Sequence, residues 1–331
     1  MQLNPTRIAA RQRGFTLVEL ITAMAITSIL VFVIMSLTNQ GIGLWKMIRE
    51  DTSSSASARL ALQTIAQDLE SFQVRPAAKN YQWMYAEIDK SMSGVPHGLS
   101  IPRSARCIFF SCPADRNPAV SSNSSLRSSY RTTRAGSPDG QGDVSAISYR
   151  LHFRDHILNL PGRNGDTSIF PLFSLYRQVV SPRDTYDYML GRDDLRAAYA
   201  QFERDEDKNF LCENIVELSL ILNIEYASEN SSGGADIPRF EVVSVPLLSS
   251  SASHSGAQKF QLFGNRAEVQ GLRMDNAHIV SAQVSLTVLT EEGVALVEQV
   301  RLGQRRAPKL EEFFSKYTRS YARSVNLPIP L

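Results

Sequence analysis

Residues 11–30, RQRGFTLVELITAMAITSIL, decide the architecture of this chain. Basic residues lead into an apolar run, Gly14 stands at the junction, and Glu19 is the only charge between Phe15 and Leu37. A helix over that run would be about 34 Å long, which exceeds the hydrocarbon thickness of about 30 Å in a bilayer. The run therefore predicts a single membrane-spanning helix.

Glu19 needs an explanation, because a charge well inside a bilayer costs about 2.5–3.5 kcal/mol on insertion scales. A position one helical turn from Phe15, near the cytoplasmic interface, lowers that cost. Arg7, Arg11 and Arg13 precede the run, and the positive-inside rule places them in the cytoplasm and the remainder across the membrane. A secretory signal peptide is disfavoured because its apolar core is usually about 7–15 residues long.

The segment Gly14-Phe15-Thr16-Leu17-Val18-Glu19-Leu20 resembles the leader of type IV pilins and of the pseudopilins of type II secretion. The resemblance implies that prepilin peptidase cuts between Gly14 and Phe15 and N-methylates Phe15. It also implies that Glu19 neutralises the N-terminal ammonium of a neighbouring subunit in a fibre. The physics agrees, because opposite charges in a low dielectric are costly alone and attract strongly when paired.

Four regions follow from this reading: a leader over 1–14, a transmembrane half-helix over 15–37, an amphipathic half-helix over 38–75 and a head over 76–331. Gly41 and Gly43 are positions where the helix could loosen. In the second half, an apolar stripe at helical spacing predicts packing against the chain's own head. Its members are Leu62, Ile65, Leu69 and Phe72, with Asp68 assigned to another face and Pro76 expected to end the helix.

The sequence of the head predicts strands that are separated by long polar segments. The predicted strands are 107–112, 146–153, 172–180, 215–226, 279–289 and, as a hairpin partner of the last one, 294–302. Serine-rich surface loops are predicted over 113–143 and 227–257. The expected fold class is α+β and pilin-like, with the long helix packed on an antiparallel β-rich head.

Three segments of the head also resemble the minor pseudopilin J of type II secretion. They are Tyr149-Arg150-Leu151, Leu175-Tyr176-Arg177 and Glu213-Asn214-Ile215-Val216-Glu217-Leu218. The chain departs from that protein in its length, in both serine-rich loops and in its basic tail, residues 303–331. The Verru_Chthon cassette protein C family, whose size and arrangement are similar, is the alternative assignment within the same class.

Cysteine and acidic residues offer weaker candidates. Cys107 and Cys112 are the candidate disulfide pair in an oxidising compartment, which leaves Cys212 over. Asp205, Asp207 and Asn209 imitate the start of a calcium loop, but Phe210 and Val216 stand where an EF-hand needs glycine and glutamate. Loose calcium binding between Glu203 and Asn209, or by Asn164 and Asp166, stays open. His152 and His156 are four residues apart, but on an expected strand, which disfavours a shared metal.

The sequence shows no phosphate loop, nucleophile elbow or paired-carboxylate motif, so no enzymatic activity is expected. Nor is nucleic acid expected as a partner, since the net charge is only +2 and Arg127, Arg131 and Arg134 lie among acidic residues. The resemblance implies a minor pseudopilin near a fibre tip, with its N-terminus in the cytoplasm and its head in the periplasm. Implied partners are prepilin peptidase, other pilins, the inner-membrane assembly platform and lipid. The alternative is a single-pass membrane anchor carrying an extracytoplasmic binding module.

Overall fold

The computed structural model describes residues 16–78, 80–89, 92, 94–99, 101, 103–113, 144–203, 207–228, 239–247 and 259–328. The predicted leader with Gly14, the residue Phe15, nearly all of the loop 113–143 and Asp205 lie outside these residues. The chain divides into two units, Met1–Thr52 and Ser53–Leu331. Each unit is described by itself.

The first described element, helix α1, spans Leu17–Glu70 and contributes to both units. In the first unit its segment Leu17–Gly43 is long and apolar enough to cross a membrane. Every side chain from Leu17 to Gly43 is exposed. The helix runs through Gly41 and Gly43 without a break, so these glycines do not loosen it.

The second unit is built on two antiparallel sheets. The strands are β1 Gln82–Asp89, β2 Ser104–Ser111, β3 Ser145–Asp155, β4 Leu160–Pro161, β5 Leu172–Val179, β6 Phe210–Glu213, β7 Ile215–Ser228, β8 Arg239–Leu247, β9 Lys259–Phe263, β10 Arg266–Val269, β11 Leu272–Asp275, β12 His278–Leu289 and β13 Thr318–Asn326. The nine-stranded sheet has the order β11-β10-β9-β1-β2-β3-β5-β6, with β4 beside β3, and the four-stranded sheet has the order β13-β12-β7-β8. A long helix followed by antiparallel strands confirms the predicted α+β pilin-like class.

The C-terminal half of α1 buries one face in the core that both sheets share. Leu62, Ile65 and Leu69 are each less than 5 % exposed, and Phe72 continues the same stripe. The predicted stripe is therefore confirmed. The helix ends at Glu70 rather than at Pro76, because the chain beyond it pairs with β2 through an isolated bridge at Phe72.

Among the described residues of the head, the α-helices of at least six residues are α2 Leu195–Ala200, α3 Glu291–Arg301 and α4 Leu310–Tyr317. A helical turn at Pro182–Asp184 continues into a π-helix at Thr185–Met189. Side chains alternate between the two faces of β3. Tyr149 reaches α1, whereas its neighbour Ser148 hydrogen-bonds Tyr199 of α2. The large sheet therefore lies between α1 and α2.

The predicted strand 294–302 is wrong, because that segment forms α3. Thr290 caps the helix by accepting from the Gly293 amide, and Glu291 and Glu292 occupy the first turn, where carboxylates are favoured by the helix dipole. What looked like a hairpin turn is a helix N-terminus. Leu296, Val297 and Val300 form its buried side.

Strand β8 lies inside the region 227–257 that was predicted to be a loop, so the loop prediction is wrong for residues 239–247. β8 pairs with β7 along its whole length, and Val245 and Leu247 face the core. The described part of the tail, residues 303–328, is likewise part of the fold, because α4 packs Phe313 into a second core and β13 pairs with β12.

Candidate assembly site

The start of α1 is fixed by a reciprocal pair of hydrogen bonds between Thr16 and Glu19. The Glu19 amide donates to the Thr16 hydroxyl (3.2 Å), while the Thr16 amide and hydroxyl both donate to Oε2 of Glu19 (3.0 Å each). This is a capping box, in which two otherwise unpaired helix-terminal donors are satisfied. In this structure the carboxylate of Glu19 is therefore held by Thr16 of its own chain.

Four hydroxyl groups in the apolar segment after Glu19 are bonded to the backbone of the helix. The hydroxyls of Thr22, Thr27, Ser28 and Thr38 all donate to backbone carbonyls of the preceding helical turn. Such bonds leave no hydroxyl hydrogen that needs water, which suits a helix surrounded by lipid. Apart from Ser36, Asn39 and Gln40, the other side chains between Leu20 and Gly43 are apolar.

Within the second unit, a buried ion pair joins α1 to the large sheet. Asp68, which is 2 % exposed, accepts from Nε (2.7 Å) and Nη2 (2.8 Å) of Arg177 on β5. Its Oδ2 also accepts from the Tyr149 hydroxyl on β3 at 2.5 Å. Burial and the adjacent Asp68 charge raise the pKa of Tyr149 well above its ordinary value, so the phenol stays a donor. This network contradicts the assignment of Asp68 to another face of the helix.

A second charged cluster lies on the opposite face of the sheet, around Glu203. Arg106 binds Oε2 of Glu203 at 3.0 Å and Arg196 binds it at 3.4 Å, while Arg150 binds Oε1. Burial raises the pKa of Glu203, but the Arg106 hydrogen bond and the three positive charges outweigh it and hold the pKa below its ordinary value. A carboxylate that is shared by three arginines is not available to a calcium ion, which argues against the site at Glu203–Asn209.

The hairpin after β3 exposes apolar side chains, and its backbone is held in place by hydrogen bonds to Asp155. Asp155 accepts from the amides of Ile157, Leu158 and Phe170 at 2.9–3.0 Å. Burial raises the pKa of Asp155, but these three hydrogen bonds more than offset it, so the pKa lies below its ordinary value. Ile157 is 78 % exposed.

The predicted disulfide is not formed. Cys107 is a buried free thiol within β2, and Cys112 follows the last residue of that strand. Five residues of extended strand separate the two Cα atoms by about 16 Å, whereas a disulfide needs about 4.4–6.8 Å. Burial raises the pKa of the thiols, to about 12 for Cys107 and about 11 for Cys212.

The other metal candidates do not form a site among the residues that the structure describes, where no group of three His, Cys, Asp or Glu side chains could hold an ion. Asp207 and Asn209 lie in a short 3₁₀ turn, and Asp205 is outside the described residues. Asn164 accepts from the His97 amide, and Asp166 accepts from Ser168. His152 belongs to β3 and packs against Tyr176 rather than facing His156.

Sequence reasoning missed Thr16 and the Asp68 network, although a signal for each was present. Thr16-x-x-Glu19 is a capping-box pattern in front of an apolar run. Ile65, Asp68 and Phe72 recur at helical spacing, which puts all three on the buried face. Nothing local could have indicated Arg177 as the partner.

The comparison with protein families gives one match. The model of the prokaryotic N-terminal methylation motif matches residues 9–35, which include Gly14, Phe15 and Glu19. Neither the search of curated proteins nor the search of solved structures returned a match. The motif indicates a type IV pilin-like prepilin substrate, and the apolar helix that follows it suggests membrane anchoring.

Proposed function

We propose that this chain is a minor pseudopilin, a structural subunit that prepilin peptidase processes and that assembles near the tip of a type II secretion pseudopilus or a type IV pilus-like fibre. Cleavage falls between Gly14 and Phe15, and Phe15 becomes the methylated N-terminus. The head lies in the periplasm before assembly. The chain itself carries no catalysis.

The match of the methylation motif to residues 9–35 is the observation that carries this proposal. The exposed apolar surface of Leu17–Gly43 adds to it, because such a surface packs equally well against lipid or against the same helix of a neighbour. In the fibre, Glu19 pairs with the Phe15 ammonium of an adjacent subunit. The resemblance to pseudopilin J supports the minor role, and the Verru_Chthon cassette protein C family remains the alternative relative.

Intact mass and N-terminal sequencing of the membrane-extracted protein, with and without prepilin peptidase, test the proposal. We expect a peptidase-dependent chain that begins with N-methylated Phe15. A chain that begins at Met1 in both samples would instead indicate a plain anchor that presents a binding module. Gly14→Val is the matched variant that should block the cut and leave membrane insertion intact.

Substitutions of Glu19 also distinguish a pseudopilin from a plain membrane anchor. Glu19→Ala should abolish incorporation into a fibre while membrane extraction stays at the wild-type level. Glu19→Gln keeps an acceptor for Thr16 but removes the charge, so it tests pairing with the ammonium separately from helix capping. Fibre incorporation of Glu19→Gln at the wild-type level would contradict the proposed charge pairing.

A further inference from the structure

We propose that a basic cavity at the end of α3 binds an oxyanion, namely a carboxylate or phosphate group carried by a ligand of small-molecule size. The cavity lies within the second unit and has a volume of about 500 Å³, inside the range of about 300–1,000 Å³ that is usual for ligand pockets. Its lining residues are His97, Gly98, Asn164, Val300, Arg301, Gly303, Arg305, Arg306 and Ala307. The inference concerns the head and does not depend on the fibre assignment.

Arg301 holds the wall of the cavity in place through its hydrogen bonds. Its guanidinium is fully buried and donates to the carbonyls of Arg163, Asp166 and Ile169 and to both carboxylate oxygens of Glu298. These bonds fasten the segment 163–169 to α3. Arg301 therefore shapes the cavity but has no donor left for a ligand.

Arg305 and Arg306 are placed differently. Both side chains are exposed, both line the cavity, and neither forms an ion pair or hydrogen bond through its side chain with a residue that the structure describes. No described lining residue is acidic. The adjacent carboxylates are already engaged, Glu298 by Arg301 and Asp166 by the amide and hydroxyl of Ser168.

A simpler role for the two arginines would be to cap the C-terminus of α3, where cations are favoured. The last carbonyls of α3 do not need these side chains, because backbone amides already donate hydrogen bonds to them. Leu302 donates to the Glu298 carbonyl, Gly303 donates to Val300, and Gln304 donates to Gln299. Gly303 adopts a φ of 72°, which allows this backbone closure. The guanidinium groups of Arg305 and Arg306 are therefore not required to cap α3.

Two guanidinium groups with no protein anion, facing a cavity of this size, match the oxyanions of a ligand. Guanidinium binds carboxylate and phosphate through parallel N–H donors, which a lysine cannot reproduce. His97 and Asn164 add polar groups at the rim, and Val300 and Ala307 supply apolar surface beside them. The same arrangement disfavours a calcium ion at Asn164, because the cavity already carries positive charge.

Isothermal titration calorimetry on the full chain in nonionic detergent tests the proposal. The probes are citrate, inorganic phosphate and a tetraglutamate peptide, each titrated at about 0.15 M salt to screen diffuse attraction. The variant is Arg305→Ala with Arg306→Ala. The matched control is Arg319→Ala with Arg323→Ala, which removes two arginines from β13 in the same basic tail.

We expect saturable binding of citrate or phosphate, at least tenfold weaker in the Arg305/Arg306 variant and unchanged in the control. Binding of the peptide alone would overturn the proposed small-molecule ligand, because it would indicate acidic side chains of another protein. Changing both residues to lysine keeps the charge and should still weaken binding several-fold. Absence of saturable binding by all three probes at about 1 mM, or an equal loss in the control, would overturn the proposal.

Discussion

The buried pair Asp68–Arg177 gives the sharpest energetic prediction. Replacing Asp68 by alanine removes the carboxylate that accepts two hydrogen bonds from the Arg177 guanidinium, whose side chain is 10 % exposed, and it removes the acceptor of the Tyr149 hydroxyl. Removing one partner of a buried ion pair typically costs about 3–5 kcal/mol. We expect a loss of that size in the free energy of unfolding of the head. The two hydrogen bonds that Arg177 loses and the one that Tyr149 loses belong to one network, so their costs do not add independently.

Urea denaturation of the full chain in nonionic detergent, followed by the fluorescence of the buried Trp83, measures this loss. The matched control is Glu70→Ala, an exposed acidic residue on the same helix, which should change stability by less than about 0.5 kcal/mol. The denaturant slope should stay constant, since the same surface becomes exposed. A further variant, Asp68→Leu with Arg177→Met, should recover most of the loss, because apolar replacement of a whole buried pair is often neutral.

A loss for Asp68→Ala of no more than about 1 kcal/mol, close to that of a typical substitution, would refute the reasoning. So would a double variant less stable than Asp68→Ala, since the cost of Asp68→Ala would then not come from a buried guanidinium that has lost this carboxylate.

Three further predictions concern the head. Because the pKa of Glu203 is depressed in the folded state, its stabilisation is fully present above the ordinary pKa of 4.5 and is lost as the pH falls below that value through the folded-state pKa. Glu203→Gln should therefore lack the contribution of this group to the fall in the urea midpoint below pH 4.5. Gly293→Ala should lower stability by about 1–3 kcal/mol in thermal unfolding, because its new Cβ would lie 2.8 Å from the Tyr317 carbonyl oxygen; a midpoint equal to wild type would contradict the close approach. Cys107, with its pKa raised to about 12, should react with a thiol reagent only after urea is added. Fast labelling of Cys107 in the native protein would show that β2 opens and exposes this thiol.

The parts of this fold that could be predicted from the sequence are those encoded by local periodicity. The apolar run from Phe15, the stripe containing Leu62 and Leu69, and the alternating segment 279–289 each carry their own signal. The structure forms a helix over Leu17–Glu70, buries Leu62 and Leu69, and forms a strand over His278–Leu289. The structure of such segments can be predicted without knowing what they pack against, because the spacing of their apolar residues already indicates which face is buried.

The misses depend on competing or long-range information. Residues 291–293 have the composition of a turn, but the Thr290 cap and two glutamates start a helix there. β8 is flanked by serine-rich sequence, and its pairing with β7 along its whole length is what makes it a strand. Asp68 and Arg177 are 109 positions apart, so only the folded head brings them together.

The capping box at Thr16 and Glu19 has a consequence for the order of events in the proposed fibre. A lone subunit does not present a bare carboxylate to lipid, because its own amide and hydroxyl already occupy one oxygen. An incoming ammonium can therefore bind Oε1 of Glu19 while Thr16 keeps Oε2. A neighbour that still carries its leader has no free amine at Phe15 to offer to Oε1, so this pairing would discriminate against immature subunits.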